Sequence, residues 1–413
     1  MVRPQRIEYF FNKLFLILIC VLALGCRSGE ALVLGDERFD QYGPFLEGQR
    51  VALLSNHTGL VGGDPDCHIL DFLLSKGVDV RCIFSPEHGF RGTGDAGQRI
   101  SDSVDPQTGL PILSLYSERG EIPSREAMDS FDVLVVDIQD VGLRFYTYYI
   151  TMMHLMEACA LDGKAVVVLD RPNPNGAVVD GPVLADELRS GVGAIPVPVL
   201  HGLTLGELAL MINGEGWLKG GMRCDLEVVS CLGYTHSMRY PLPVPPSPNL
   251  RSELAVALYP SLCFFEGTVV SLGRGTEFPF EVYGHPSMVG GFSFTPQPGP
   301  GSKNPPLRGQ ECHGVDLRGS DIDAVRSRGV DLSYVIDAWT QISSAGSEKP
   351  ASSSPATASD PFFLRGGFFD KLAGQRYVRE MILSGASASE IRARWQPEVE
   401  EFKTLREKYL LYR

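Results

Sequence analysis

Glu87 is the residue in this sequence best suited to moving a proton. It lies in Ser85-Pro86-Glu87-His88-Gly89, behind a proline in a loop that leaves an apolar run, with His88 and Phe90 close by. A carboxyl in such a partly dry loop suits a general acid. Three other loops carry polar side chains in the same kind of setting. Ser55-Asn56-His57-Thr58-Gly59 offers an amide and an imidazole. Asp137 leads into Gln139-Asp140-Val141-Gly142 and then Arg144-Phe145-Tyr146-Thr147-Tyr148. Asp170-Arg171-Pro172-Asn173-Pro174-Asn175 adds a cation and two amides. A scaffold that needed only turns would use Gly, Asn and Ser there; repeated Glu, Asp, Arg and His point to a site.

The elements that must position these loops are short apolar runs at Val51–Leu54, Val78–Phe84, Ile112–Leu115, Val133–Ile138 and Ala165–Leu169, with helical stretches such as His68–Ser75 and Thr147–Leu161 between them. Continuous apolar strands alternating with helices predict an α/β fold with a parallel sheet, which we place over residues 32–238. A further strand is expected at Val197–Leu200, followed by a helix whose capping box is Thr204 and Glu207. Ligands of such sheets bind outside the carboxyl ends of the strands, where the four loops emerge. Each residue also has a purely structural alternative: Asp137 as a helix cap, Asp170 as an ion-pair partner of Arg171, His57 as a turn residue.

Beyond the proline-rich stretch at 241–249 the strand–helix rhythm stops, and residues 239–413 read as a smaller α+β domain interrupted by a low-complexity Ser/Ala/Pro loop at 343–360. It holds a second polar cluster: Ser247 and Asn249, Phe265-Glu266-Gly267, Gly273-Arg274-Gly275, and Phe280-Glu281. Glycines around Arg274 let a ligand approach the backbone, and arginine suits a carboxylate.

Several function classes are disfavoured. The net charge of −13 opposes binding to nucleic acid or to anionic membrane surfaces. Gly92 to Gly97 matches GxGxxG but lacks the strand before it and the helix after it that a dinucleotide needs. There is no GxSxG, no HExxH and no CxxC, so neither a nucleophile elbow nor a metal centre is expected. Residues 14–24 are eleven consecutive apolar residues behind Arg3, Arg6 and Lys13, too few to span a membrane and typical of a signal peptide over residues 1–25. Ala23-Leu24-Gly25-Cys26 resembles a lipobox, which would lipidate Cys26; ordinary secretory cleavage near Gly25 is the alternative. Either predicts export.

The runs SPEHGFRG, DIQDVGLRFYTY, LDRPNPNG, HGLTLGE, PPSPN, FEGTVVSLGRGTEFPFE and KYLLY, in this order from about residue 35 to the C-terminus, together resemble the NamZ/YbbC family of exo-β-N-acetylmuramidases. The resemblance implies a Rossmann-like domain packed on a smaller one, with the site in the cleft between them. It implies release of N-acetylmuramic acid (MurNAc) from the non-reducing end of peptidoglycan fragments such as MurNAc–GlcNAc, without a cofactor. Glu87 falls on the glutamate of the SPEHG motif and would be the acid. Asp137 or Asp140 could supply the second carboxylate, unless the sugar's own 2-acetamido group replaces it as nucleophile. Arg144, Arg171 and Arg274 are candidates for the lactyl carboxylate. Tyr146, Tyr148 and Asn249 would bind the sugar ring, and Asn56, His57, His88, Asn173, Glu266 and Glu281 complete the expected site. A non-catalytic binder of cell-wall fragments, or an amidase or esterase on the same polymer, are the competing readings.

Overall fold

The computed structural model describes residues 31–90, 101–115, 122–345, 360–364 and 366–413. The signal-like segment with Cys26, the Gly92–Gly97 run and nearly all of the Ser/Ala/Pro-rich insertion lie outside these residues.

Seven strands form the central sheet: β1 (Arg50–Ser55), β2 (Asp79–Ser85), β3 (Ser103–Val104), β4 (Pro111–Ser114), β5 (Val133–Asp137), β6 (Ala165–Leu169) and β7 (Asp225–Val229). Their order is β3-β4-β2-β1-β5-β6-β7, and all neighbours are parallel except β3 against β4. The chain winds outward from β1 through β2 to β4, returns to β5 beside β1, and winds outward again. The carboxyl ends of β1 and β5 therefore flank the point where the winding reverses, which is where an open α/β sheet has its crevice. Ser55 and Asp137 are direct neighbours across it.

Alternate residues of each central strand feed two cores. Ala52, Leu54, Leu134, Val136, Val166 and Val168 enter one; Val51, Leu53, Val133, Val135, Val167 and Leu169 enter the other. The first core runs without a break into Phe264, Phe265, Phe369 and Trp395. The C-terminal region thus shares a core with one face of the sheet. It adds a separate antiparallel sheet, β8 (Val282–His285), β9 (Phe292–Phe294) and β10 (Cys312–Asp316) in the order β8-β10-β9, together with helices ending in Ala388–Arg406.

Val197–Leu200 is not a strand of the sheet. Pro198 has no N–H for a ladder, and Leu200 makes isolated bridges to Leu143 and Asp180. The seventh strand is Asp225–Val229, an edge strand whose exposed Asp225 and Glu227 alternate with Leu226 and Val228. The helix Leu205–Gly214 starts with the expected Thr204/Glu207 capping box. The helix Ser333–Ala345 continues into the first residues of the expected 343–360 loop.

Asp170 does not pair with Arg171. Arg171, buried after β6, donates from Nε to Asp137 Oδ1 (2.6 Å) and from Nη2 to Asp137 Oδ2 (2.9 Å) and Asp36 Oδ2 (2.6 Å). It also reaches the Leu60 carbonyl at 3.2 Å. Asp170 instead receives the hydroxyls of Thr204 (2.6 Å) and Tyr412 (2.7 Å) and the amide of Gly206 (2.8 Å). Glu207 Oε1 accepts the amide of Leu411 at 2.8 Å, so two acids of the sheet domain hold the C-terminal Leu411-Tyr412 segment.

Arg171→Met leaves Asp36 and Asp137 buried without their cation. We expect a loss of about 3–5 kcal/mol of stability, read as a lower denaturant midpoint.

Candidate active site

An open cleft of about 1080 Å³ is bounded by Glu87 and Thr147 of the sheet domain and by Glu266, Arg274, Lys303 and Lys371 of the C-terminal region. A recess of about 90 Å³ adjoins it, walled by His88, Tyr146, Tyr148, Ser247, Asn249 and Phe280. Glu87, Thr147, Val192, Glu266 and Arg274 line both.

Glu87 reaches the cleft because the chain turns sharply after β2. The Gly89 amide donates to the Pro86 carbonyl at 3.0 Å, and His88 and Gly89 have φ of 71° and 75°. His88, Phe280 and Leu307 are the non-glycine residues with positive φ among those described, and all three line the cleft or the recess. Backbone strain concentrated in this way marks a site whose surroundings hold it in shape. Thr147, next to the helix Tyr148–Asp162, donates its hydroxyl to Glu87 Oε2 at 2.9 Å. The Tyr146 and Tyr148 hydroxyls both donate to the Pro246 carbonyl, at 2.8 and 3.1 Å, joining the end of β5 to the proline-rich segment. Burial pushes both phenols above their ordinary range, so they stay protonated donors. Asn249 donates to the Gly301 carbonyl at 2.8 Å.

The floor beneath is tied across three strands. The Gln139 amide donates to Thr58 Oγ1 (3.0 Å), and Gln139 Nε2 donates to the Pro172 carbonyl (2.8 Å). Asn56 Oδ1 receives the amide and hydroxyl of Thr58 at 2.9 and 2.6 Å. His57 donates from Nε2 to the Pro245 carbonyl (2.8 Å), and burial holds its pKa below the ordinary histidine range. Asn173 spans Leu203 and Asn175, and a Cβ on Gly142, whose φ is 77°, would lie 2.1 Å from its Nδ2. Only glycine fits there.

The expected residues therefore separate into two groups. Glu87, His88, Tyr146, Tyr148, Asn249, Glu266 and Arg274 come together around the cleft and recess. Asn56, His57, Asp137, Asp140, Arg144, Arg171, Asn173 and Glu281 line neither. Arg144 is fully buried and donates to the carbonyls of Pro182 (2.6 Å), Val197 (3.0 Å) and Leu372 (2.8 Å), so it cannot turn toward a ligand. Arg171 and Asp137 neutralise each other. Glu281 accepts the Ser252 hydroxyl. Thr147, Ser247, Lys303 and Lys371 belong to the lining but not to the expected set. Thr147 lies within the polar run Arg144–Tyr148 that follows Gln139-Asp140-Val141-Gly142, whereas the lysines carry no local pattern.

Asp140 is buried, with Oδ1 taking the Gly142 amide (2.6 Å) and Oδ2 without a hydrogen-bond partner. Burial raises its pKa to about 7. A carboxyl raised in the folded state stabilises the fold below its unfolded pKa, and that contribution is lost as pH rises through about 7. Asp140→Asn should match the wild type in unfolding midpoint at pH 4 and exceed it at pH 8, by on the order of 2–4 kcal/mol.

Comparison with known proteins places the chain in a family. The profile described as "Exo-beta-N-acetylmuramidase NamZ, N-terminal" matches residues 51–253, and its C-terminal companion matches residues 257–412. The chain belongs to the NamZ exo-β-N-acetylmuramidase family. It is 34% identical to the peptidoglycan beta-N-acetylmuramidase NamZ of Bacillus subtilis (strain 168), over 91% of this chain and 90% of that protein. Two crystal structures of DUF1343 family proteins from Bacteroides fragilis NCTC 9343 share the fold. One has a TM-score of 0.82 at 49% identity, covering 93% of this chain and 99% of that one; the other has 0.77 at 29%, covering 92% and 99%.

Proposed function

We propose that this protein is a glycosidase that releases N-acetylmuramic acid from the non-reducing end of peptidoglycan fragments, with MurNAc–GlcNAc as a representative substrate. Family membership sets the reaction class, and the position of Glu87 carries the reading for this chain. Its carboxyl sits where cleft and recess meet, held by the Thr147 hydroxyl. A glycosidase needs an acid there to protonate the departing oxygen. The terminal sugar would face the recess, with the tyrosine pair and Asn249 beside its ring, and the rest of the fragment would occupy the cleft.

The lactyl carboxylate of MurNAc requires a cation. With Arg144 and Arg171 withdrawn into the interior, Arg274, Lys303 and Lys371 remain on the cleft wall. Lys371 Nζ, on the helix Phe368–Ala373, has no ion-pair or hydrogen-bond partner among the described residues, so it is the cation best placed to take a new anion. Export with lipidation at Cys26 belongs to the same reading, since it would put the enzyme beside the cell wall.

Hydrolysis of 4-nitrophenyl β-MurNAc and of the GlcNAc analogue tests the assignment. The wild type should prefer the MurNAc glycoside strongly, and equal rates on both would refute lactyl recognition. Glu87→Gln should lower kcat ~10²–10⁴-fold while binding persists; a pure binder would show no turnover in either form. Lys371→Met should raise KM for the MurNAc glycoside about tenfold, equivalent to ~1.4 kcal/mol, and leave the GlcNAc analogue unaffected.

A further inference from the structure

Among the described residues, Glu87 and Glu266 are the two acids that line both the cleft and the recess. They come from distant parts of the chain. Glu87 follows β2, whereas Glu266 lies in the 3-10 turn Cys263–Gly267 behind the helix Glu253–Leu262. Arg274 holds Glu266 by one oxygen only. Its Nε, at 3.0 Å, and its Nη2 both donate to Oε1. Oε2 has no hydrogen-bond partner among the described residues. Arg274 is itself braced, with Cζ 5.1 Å from the centre of the Phe280 ring. The result is a carboxylate fixed in direction, with one oxygen left for whatever enters the site.

We propose that Glu266 Oε2 accepts the N–H of the substrate's 2-acetamido group and orients that group's carbonyl oxygen to attack the anomeric carbon. The assignment rests on the muramidase reading and deepens it. A carboxylate bound twice by a guanidinium is a weak nucleophile and a well-fixed acceptor, and N-acetylmuramic acid brings its own nucleophile at C2. In the first step the acetamido oxygen bonds to C1 as the bond from C1 to the leaving oxygen breaks. Glu87 gives its proton to that oxygen, and the N–H proton passes to Glu266, leaving a neutral oxazoline. In the second step water adds its oxygen to C1 as the ring opens. One water proton goes to Glu87 and Glu266 returns its proton to nitrogen, so one water is consumed and both carboxyls are restored. Two displacements at C1 retain the β configuration.

The full chain is tested with 4-nitrophenyl β-MurNAc, following the first-formed anomer by NMR. The β anomer is expected, with rates falling steeply as the acetyl group is fluorinated one atom at a time. Glu266→Gln should lose at least 100-fold in kcat while keeping the wild-type Tm and the alkaline limb of the pH profile, the limb set by the proton donor Glu87. Azide should not restore Glu266→Ala by forming an α-glycosyl azide. The α anomer, indifference to fluorination, azide rescue with that product, or a Glu266→Gln rate within threefold of wild type would each overturn the assignment. The anomer and fluorination tests use the wild type, so they stand even where a variant fails to fold. No turnover of the MurNAc glycoside by the wild type would overturn the muramidase reading itself, whereas turnover giving the α anomer overturns this assignment alone.

Discussion

The buried Asp36–Arg171–Asp137 group is the constraint on which the rest of the molecule depends. Asp137 ends β5 at the reversal of the sheet, Arg171 leaves β6 beside it, and Asp36 belongs to the segment that precedes β1. Charges removed from water are tolerated only when their partners are fixed, so these three pin the ends of two strands and the leading segment together. The loops that follow those strands start from a rigid edge. Gln139 then reaches Thr58 on one side and Pro172 on the other, and the Tyr146–Tyr148 pair sits above that floor.

The two regions of the chain are joined by more than contact across a cleft. One hydrophobic core contains Leu54 and Val136 of the sheet as well as Phe265 and Trp395 of the C-terminal region. Arg144 bonds to carbonyls from both, including that of Leu372. A shared interior of this kind resists relative movement. Glu87 from the sheet domain and the Glu266–Arg274 pair from the C-terminal region are therefore held in register by packing, before any ligand arrives.

The central strands were legible in the sequence because strands buried on both faces appear as unbroken apolar runs. β7 was not, since an edge strand carrying Asp225 and Glu227 has no such run, and Val197–Leu200 imitated one despite Pro198. Glu87 could be found from its loop alone, because a carboxyl between proline and imidazole at a strand end has few structural uses. Arg144 and Arg171 could not be sorted. Sequence shows that a cation is near a site but not whether its guanidinium turns outward or inward, and here both turn inward. Asp137 and Asp140 failed as cleft acids for the same reason. Glu266 and Arg274, eight residues apart, were visible as a cluster, although nothing local marked Glu266 as an acid of the same cleft as Glu87. Lys371 enters the cleft wall from a distant helix, and only the folded chain brings it there.

The Tyr412 hydroxyl that completes the shell of Asp170 comes from 242 residues further along the chain. At ribosomal speeds of 5–20 residues per second, that interval is roughly 10–50 s. During it the nascent sheet has an acid at its rim whose last donor has not been made. The strands can collapse early, but the shell of Asp170 is complete only after residue 412 has been made.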